Sequence, residues 1–310
     1  LQMTMQKKYK NFGGVVIPMI TPLTEDYLID ETAVRKIIGR FKTHNVQPLI
    51  LGTTGEVASL SFNQKIKLVE IAADEINGEI PLVVGLCGNS IETIINEGEQ
   101  YAALGADALV ALAPNYYPID DKHTYNWFKT LADKLPLPVF LYNIPATTHH
   151  AISLDVIEKL SHHKNIIGIK DSQADRERLE ESLQRWGTRE DFLFLVGCAA
   201  NSAFGLQKGA DGIVPSVGNL FPGLYYELFD ASQKGDFKKA EKIQETTNKI
   251  SAYNQAGRTV TEAIPALKIL MSIKKLCGTQ VMPPMLQMPP KEERQYRAEM
   301  EDKIQNINLE

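Results

Sequence analysis

The chain has 310 residues, 44% of them hydrophobic and 23% charged, which is the composition of a globular protein with a large core. Its formal net charge of -5, with both signs interspersed, argues against nucleic acid or an anionic membrane surface as the main partner. The three cysteines form no CxxC pair, so we expect neither disulfides nor a metal site. The sequence has no apolar run of transmembrane length and no signal peptide, so we expect a cytoplasmic protein.

Short apolar runs alternate with amphipathic stretches along the first part of the chain. We predict eight strands, at residues 13–18, 48–52, 81–86, 108–113, 139–143, 166–170, 192–197 and 212–215. A helix follows each strand, at residues 30–44, 61–77, 90–104, 121–135, 153–160, 175–185, 199–208 and 222–234. The strands are continuous apolar runs rather than alternating ones, as in a parallel sheet that is covered on both faces.

The number of these units predicts an α/β fold of the (β/α)8 TIM-barrel class. Eight strand–helix units in about 235 residues match the count and the length of such a barrel. A doubly wound open sheet is the alternative, but it usually carries a glycine-rich phosphate-binding turn after its first strand. Here Gly13 and Gly14 stand at the beginning of that strand instead. We therefore expect residues 1–235 to form a barrel that carries the active site.

The pattern changes to helices alone after residue 235. Helices are predicted at residues 236–250, 260–276 and 291–307, with proline pairs at 283–284 and 289–290 between the last two. This segment is too small, and too poor in strands, to be an independent enzyme domain. We expect residues 236–310 to form a helical extension that packs on the barrel or serves in assembly.

Lys170 ends an otherwise apolar strand, Ile-Ile-Gly-Ile-Lys at 166–170, and Asp171 and Ser172 are expected to begin the next helix. An ammonium group at this place loses water, and burial favours the neutral amine. A neutral lysine is the nucleophile with which a class I aldolase forms a Schiff base with a ketone. The alternative is a lysine that reaches solvent or pairs with Asp171.

Other polar residues follow the predicted strands, at the end of the barrel where active sites lie. Tyr142 and Lys170 end neighbouring strands, about 4.8 Å apart, so a phenol and an amine can meet over one substrate atom. The Gly-Thr-Thr-Gly turn at 52–55 offers backbone N–H groups and the uncharged hydroxyls of Thr53 and Thr54, which suit a small carboxylate. Taken singly, the turn can be only a turn; taken together, these groups predict a site for a 2-oxo acid such as pyruvate.

Four motifs carry a family resemblance: GTTGE at 52–56, PNYYP at 114–118, YNIP at 142–145 and IGIKDS at 167–172. Their residues, order and spacing resemble those of the dihydrodipicolinate synthase / N-acetylneuraminate lyase family. The resemblance extends from Phe12 to about Met285. It is specific for the superfamily and much less so for the substrate.

The resemblance implies a class I aldolase that works through pyruvate. Lys170 would form the Schiff base, and Tyr142 would shuttle protons at the hydroxyl or aldehyde oxygen of the substrate. Thr53 and Thr54 would hold the carboxylate, with Thr54 relaying protons to Tyr142. Tyr116 corresponds to a tyrosine that is donated across a subunit interface, which implies a homodimer or homotetramer; no metal or organic cofactor is implied.

The tyrosine assignment leaves one choice open. Asn115 replaces an aromatic residue that is common at its position, so Tyr117 is the alternative to Tyr116. Because prolines flank the two tyrosines, a packed loop without a catalytic role is the other interpretation.

Two departures from the family pattern bear on the substrate. Thr147 stands where synthases place an arginine for the carboxylate of their second substrate, and the loss of that charge-assisted pair costs roughly 1.5–3 kcal/mol. A Cys-Ala-Ala sequence at 198–200 replaces acidic residues with which sialate lyases bind the hydroxylated tail of their sugar. We therefore expect a lyase that splits a smaller 4-hydroxy-2-oxo acid into pyruvate and an aldehyde, similar to 2-keto-3-deoxy-sugar-acid or 4-hydroxy-2-oxoglutarate aldolases.

Further contacts to the substrate are expected from residues near the strand ends. The candidates are Gly55, Thr147, Ser172, Gly197 and Ser216, with His149 and His150 as possible contacts to a distal group. Within the family, a dihydrodipicolinate synthase or an N-acetylneuraminate lyase is the alternative. Outside enzymes, a barrel that only binds a 2-oxo acid, as a sensor, is the other hypothesis.

Overall fold

A computed structural model describes residues 9–305 and 307 of the chain. Its centre is a closed parallel barrel in which each of eight strands pairs with the next and the last pairs with the first. The strands are β1 (Gly14–Pro18), β2 (Gln47–Ile50), β3 (Val83–Leu86), β4 (Ala108–Leu112), β5 (Val139–Asn143), β6 (Ile166–Asp171), β7 (Leu193–Val196) and β8 (Gly212–Ile213). The predicted TIM-barrel class is confirmed.

Helices cover the barrel between the strands. They are α1 (Glu31–Thr43), α2 (Phe62–Ile76), α3 (Ile91–Ala103), α4 (Asp121–Lys134), α5 (Pro145–Thr148), α6 (Leu154–Leu160), α7 (Arg176–Trp186), α8 (Ser202–Gln207) and α9 (Pro222–Gln233). The C-terminal helices are α10 (Phe237–Gln255), α11 (Val260–Ile273) and α12 (Pro290–Gln305). In the part of the chain that the structure describes, no helix has the length and apolarity to cross a membrane.

Polar side chains determine where most of the barrel helices begin. The residue before the helix accepts a hydrogen bond from a first-turn N–H in α1, α2, α3, α4, α6 and α7, through Asp30, Ser61, Ser90, Asp120, Ser153 and Asp175. Each cap satisfies an N–H group that has no partner within its own helix. The predicted helix starts therefore fall within about one residue of these caps.

Several local details differ from the prediction. Asp171 and Ser172 do not begin a helix: Asp171 pairs with Asn143 in the β5–β6 register and extends the strand, and α7 begins only after its cap at Asp175. Strand β2 ends at Ile50 because Leu51 has a left-handed φ of 54°. The short helix α5 was not predicted, because four residues carry no helical periodicity.

The apolar residues form two clusters. One fills the interior of the barrel and includes Val16, Leu49, Val110, Phe140 and Leu193. The other lies between the barrel and its helices and continues into the C-terminal helices. Because side chains close the interior, a substrate can reach the barrel only at one of its two ends.

Candidate active site

Lys170 and Tyr142 meet at the carboxyl end of the barrel. They are paired in the β5–β6 register, and Nζ of Lys170 lies 3.9 Å from the centre of the Tyr142 ring. Both are buried, with 3% and 4% of their surfaces exposed. Among the described residues, no carboxylate lies within ion-pair distance of Lys170.

Asp171 is not the partner of Lys170. Successive strand residues face opposite sides of a sheet, and the Asp171 carboxylate accepts a hydrogen bond from Nε of Arg178 at 2.8 Å. Its other oxygen accepts one from the Asn143 side chain, also at 2.8 Å. The alternative that Lys170 is held by Asp171 is therefore wrong, and the amine is available at the mouth of the barrel.

The phenol of Tyr142 is polarised by its surroundings. Burial raises its pKa, but the charge of Lys170 and hydrogen bonds from Lys170, Thr53 and Ser172 outweigh burial and hold the pKa below its usual value. A phenol with a lowered pKa gives up its proton more readily. Tyr142 is thus suited to accept and return a proton.

The threonine turn brings one hydroxyl to this phenol. Oγ1 of Thr53 lies 3.4 Å from the Tyr142 hydroxyl. The family resemblance assigned the contact with the Tyr142 hydroxyl to Thr54. In the structure Thr53 makes this contact, and the Thr54 hydroxyl does not. The N–H groups of Thr53, Thr54 and Gly55 have no acceptor within the described residues, so they are free to bind an anion.

The turn is held in an unusual conformation. Leu51 and Glu56, at its two ends, both have left-handed φ values, 54° and 61°. Thr21 donates a hydrogen bond to the carbonyl of Gly55 at 2.6 Å. The carbonyl of Leu51 fits closely against Gly85, where a Cβ would collide with it. These contacts keep the turn close to the ends of the neighbouring strands.

Ser172 and Gly197 border the same place. Ser172 helps to hold the pKa of the Tyr142 phenol below its usual value, and a side chain at Gly197 would displace the Ser172 hydroxyl. Ser216 faces the C-terminal helices instead, and its hydroxyl accepts a hydrogen bond from Gln255 at 3.0 Å. The two histidines of the α5 loop do not line the site: His150 bonds to Thr124 at 3.0 Å, and His149 is an exposed left-handed helix cap.

A cavity of about 560 Å³ opens beside Thr53. Four segments of the barrel line it, namely residues 56–59 after the turn, residues 87–88 after β3, residues 112, 113 and 115 at the end of β4, and residues 146–148 in α5. The C-terminal extension completes the wall with residues 259–261 and 284–285. The sequence pattern had no signal for this last contribution, because those residues are far from the strands in the chain.

The cavity offers hydroxyls and apolar surface but almost no charge. Among the described residues, Glu56 is the only charged one that lines the cavity, and its carboxylate contacts Lys268 and the N–H of Met282. Burial raises the pKa of the Cys87 thiol, which keeps that group neutral as well. Thr147 lines the cavity, so a molecule bound there meets a hydroxyl at this position rather than a guanidinium.

Tyr116 and Tyr117 point to solvent in the single chain, with 76% and 73% of their surfaces exposed. Their rings stack edge to face, with centroids 5.0 Å apart. The loop is ordered by Asn89, whose side-chain oxygen accepts hydrogen bonds from the N–H groups of Asn115 and Tyr116 at 2.8 and 3.0 Å. Two adjacent exposed tyrosines on an ordered loop are typical of a subunit contact.

Comparisons with known proteins find relatives that match along most of the chain. A model of the dihydrodipicolinate synthetase family matches residues 11–306. The 4-hydroxy-tetrahydrodipicolinate synthase of Thermodesulfovibrio yellowstonii is 30% identical over 268 residues, which are 86% of this chain and 89% of that protein.

Solved structures of similar sequence share the fold along almost the whole chain. Dihydrodipicolinate synthase from Aquifex aeolicus superposes with a TM-score of 0.86 at 27% identity, over 96% of this chain and all of that one. YagE, an E. coli prophage protein of the dihydrodipicolinic acid synthase family solved with pyruvate, has a TM-score of 0.86 at 25% identity, over 95% and 99% of the two chains.

Proposed function

We propose a function on one premise: the chain belongs to the dihydrodipicolinate synthetase family, whose members are pyruvate-dependent class I aldolases and lyases. In this proposal the protein is a lyase that forms a Schiff base at Lys170. It cleaves a 4-hydroxy-2-oxo acid into pyruvate and an aldehyde, or catalyses the reverse condensation. The observation that carries this proposal is the meeting of the Lys170 amine, the Tyr142 phenol and the Thr53 hydroxyl at one end of the barrel.

The chemistry follows from these three groups. Lys170 gives a proton of its ammonium group to the Tyr142 phenolate, and the resulting amine adds to the C2 carbonyl of the substrate. Tyr142 returns that proton to the leaving hydroxyl, so loss of water gives a protonated imine and leaves Tyr142 as a phenolate. Tyr142, as phenolate, takes the proton of the 4-hydroxyl and the C3–C4 bond breaks. The electron pair of that bond moves into the imine, which becomes an enamine. The aldehyde leaves, Tyr142 returns the proton to C3 of the enamine, and water then releases pyruvate from Lys170.

Thr53 supports both binding and proton transfer in this scheme. Its hydroxyl lies next to the phenol that changes protonation state, so it relays protons to Tyr142. The N–H groups of the turn bind the substrate carboxylate, since they donate no hydrogen bond within the described residues.

Tyr116 completes the relay from a second copy of the chain. The exposed tyrosine pair supports a homodimer or homotetramer, in which the family resemblance implies that Tyr116 is donated across the interface. We propose that Tyr116 of the partner subunit reaches Thr53. Light scattering at several concentrations tests the assembly. Tyr116→Phe and Tyr117→Phe, measured side by side, test which ring enters the relay.

The uncharged cavity supports a neutral aldehyde. Cleavage of a 2-keto-3-deoxy-sugar acid releases a neutral hydroxyaldehyde, which suits the hydroxyls of Thr147, Thr259 and Thr261. The second carboxylate of 4-hydroxy-2-oxoglutarate, and that of aspartate semialdehyde in a synthase, would find no cation among the described residues of the lining. The synthase remains the second candidate, because the relative from T. yellowstonii carries that name.

Borohydride trapping tests the proposal against a barrel that only binds 2-oxo acids. Incubation with pyruvate and borohydride should add one reduced pyruvate to the protein, and peptide mass spectrometry should place it at Lys170. Lys164→Ala, at an exposed lysine just before β6, is the matched control and should label normally. Labelling of the Lys170→Ala variant, or no labelling of the wild type, contradicts the proposal. A panel of 2-oxo acids, scored by released pyruvate, then identifies the aldehyde.

A further inference from the structure

We propose that the buried ion pair between Glu56 and Lys268 positions the threonine turn, so that the C-terminal extension sets the contact between Thr53 and Tyr142. Glu56 and Lys268 are positioning residues in this proposal, since neither touches the reacting atoms. The inference rests on the proposed function of Tyr142 and Thr53, and its test is designed to separate the two.

The pair lies in complete isolation from water. Glu56 follows the turn, Lys268 is in the middle of α11, and both side chains are fully buried. Their Nζ and Oε1 atoms are 2.5 Å apart. An ion pair with no water around it keeps one geometry, because any displacement leaves a charge without a partner in a medium of low polarity.

Further hydrogen bonds fasten the pair to a third segment. Oε2 of Glu56 accepts a hydrogen bond from the N–H of Met282 at 2.6 Å. Nζ of Lys268 donates one to the carbonyl of Gln280 at 2.5 Å. The turn, α11 and the loop at 280–282 are thus joined through one carboxylate and one ammonium group.

The backbone transmits this restraint directly to Thr53. The N–H of Glu56 donates a hydrogen bond to the carbonyl of Thr53 at 3.1 Å, which closes the turn. Glu56 has a φ of 61°, a conformation that a residue with a side chain adopts only when its surroundings enforce it. The contacts of its carboxylate supply that enforcement. If they are lost, the turn can relax and Thr53 can move away from Tyr142.

A buried ion pair adds little net stability compared with uncharged groups of similar shape. The main effect of the pair is therefore to fix the position of the turn, and not to raise the stability of the fold. The pair between Lys65 and Glu97 offers a matched comparison, because it is also buried, with 2.8 Å between Nζ and Oε1, but joins α2 to α3 rather than holding the turn.

The test uses two neutral double variants of the full-length protein. Glu56→Gln with Lys268→Gln removes both charges of the proposed pair, and Lys65→Gln with Glu97→Gln does the same for the comparison pair. Two reactions of pyruvate are measured for each: borohydride trapping at Lys170, and exchange of the methyl protons with D2O followed by NMR. Trapping reports imine formation, whereas exchange also needs proton transfer at C3, which the proposed function gives to Tyr142.

We expect the first double variant to trap pyruvate normally and to lose exchange by about 10-fold to 10²-fold, as for a misplacement on the order of 1 Å. The basic limb in its pH profile of exchange should move upward, because Tyr142 loses a hydrogen bond that lowers its pKa. Adding Thr53→Val should cause little further loss, since both changes remove the same contact. The comparison variant should keep the exchange rate and pH profile of the wild type.

Unchanged exchange in the first variant, an equal loss in the comparison variant, or fully additive losses with Thr53→Val would overturn the proposal. Failure of the wild type to trap pyruvate would instead refute the proposed function. If the double variant does not fold, Glu56→Asp replaces it, since it keeps the charge and shortens its reach by one carbon. The same upward shift of the pH profile, with a smaller loss of exchange, is then expected, and a wild-type profile would overturn the proposal.

Discussion

Lys170 and Tyr142 stand opposite each other on β6 and β5, with the lysine Nζ 3.9 Å from the centre of the tyrosine ring. The pairing places a cation against a buried phenol and lowers the pKa of that phenol against the effect of burial. The amine that we propose as the nucleophile and the phenol that we propose as the proton-transfer group are thereby held by the same two strands. The predictions below follow from this arrangement.

Lys170→Met should raise the pKa of Tyr142. Burial raises this pKa and the lysine charge lowers it, so removal of the charge leaves burial unopposed. NMR titration of protein labelled with 13Cζ-tyrosine measures the change, and the Tyr142→Phe spectrum assigns the resonance. A Tyr142 signal that titrates at the same pH in wild type and Lys170→Met would show that the ammonium does not act on the phenol.

Tyr142→Phe should lower turnover by about 10²–10⁴-fold, because it removes general acid–base assistance. Trapping of pyruvate at Lys170 should still be detectable, since the amine remains in place. Tyr225→Phe is the control: this tyrosine is equally buried but lies in α9, and its variant should keep normal turnover. Near-normal turnover in Tyr142→Phe would mean that another group moves the proton.

Thr53→Val should impair methyl-proton exchange of pyruvate much more than Thr54→Val. Only the Thr53 hydroxyl lies 3.4 Å from the phenol, and both substitutions preserve the shape of the side chain. NMR exchange in D2O compares the two directly. Equal losses of exchange in the two variants, or a larger loss in Thr54→Val, would favour the relay through Thr54 that the family resemblance implies.

Thr147→Arg should shift the preference of the enzyme toward aldehydes that carry a carboxylate. A charge-assisted pair contributes about 1.5–3 kcal/mol, equivalent to roughly a 10- to 10²-fold gain in kcat/KM for the acidic aldehyde over a neutral one. Thr147→Gln has a long polar side chain without the charge and serves as the control. An unchanged ratio in Thr147→Arg would indicate that this position does not face the aldehyde.

The sequence was sufficient for the fold and for the placement of Lys170 and Tyr142 side by side at one end of the barrel. Alternating strand and helix patterns predict the parallel barrel, and the end of each strand predicts which side chains share its mouth. Lys170 and Tyr142 follow from that rule, because consecutive strands of such a barrel are neighbours. The length of β6 did not follow, since Asp171 belongs to the strand only through its pairing with Asn143.

Only the tertiary structure decided which threonine faces Tyr142 and what closes the cavity. Thr53 and Thr54 are adjacent in an irregular turn, where no periodicity distinguishes one side chain from the other. Glu56 meets Met282 across 226 residues of sequence, and residues 259–261 reach the same cavity from the C-terminal helices. Local patterns record which face of a strand or helix is buried. Contacts between distant segments depend on how the finished elements pack, and a single sequence carries no local sign of them.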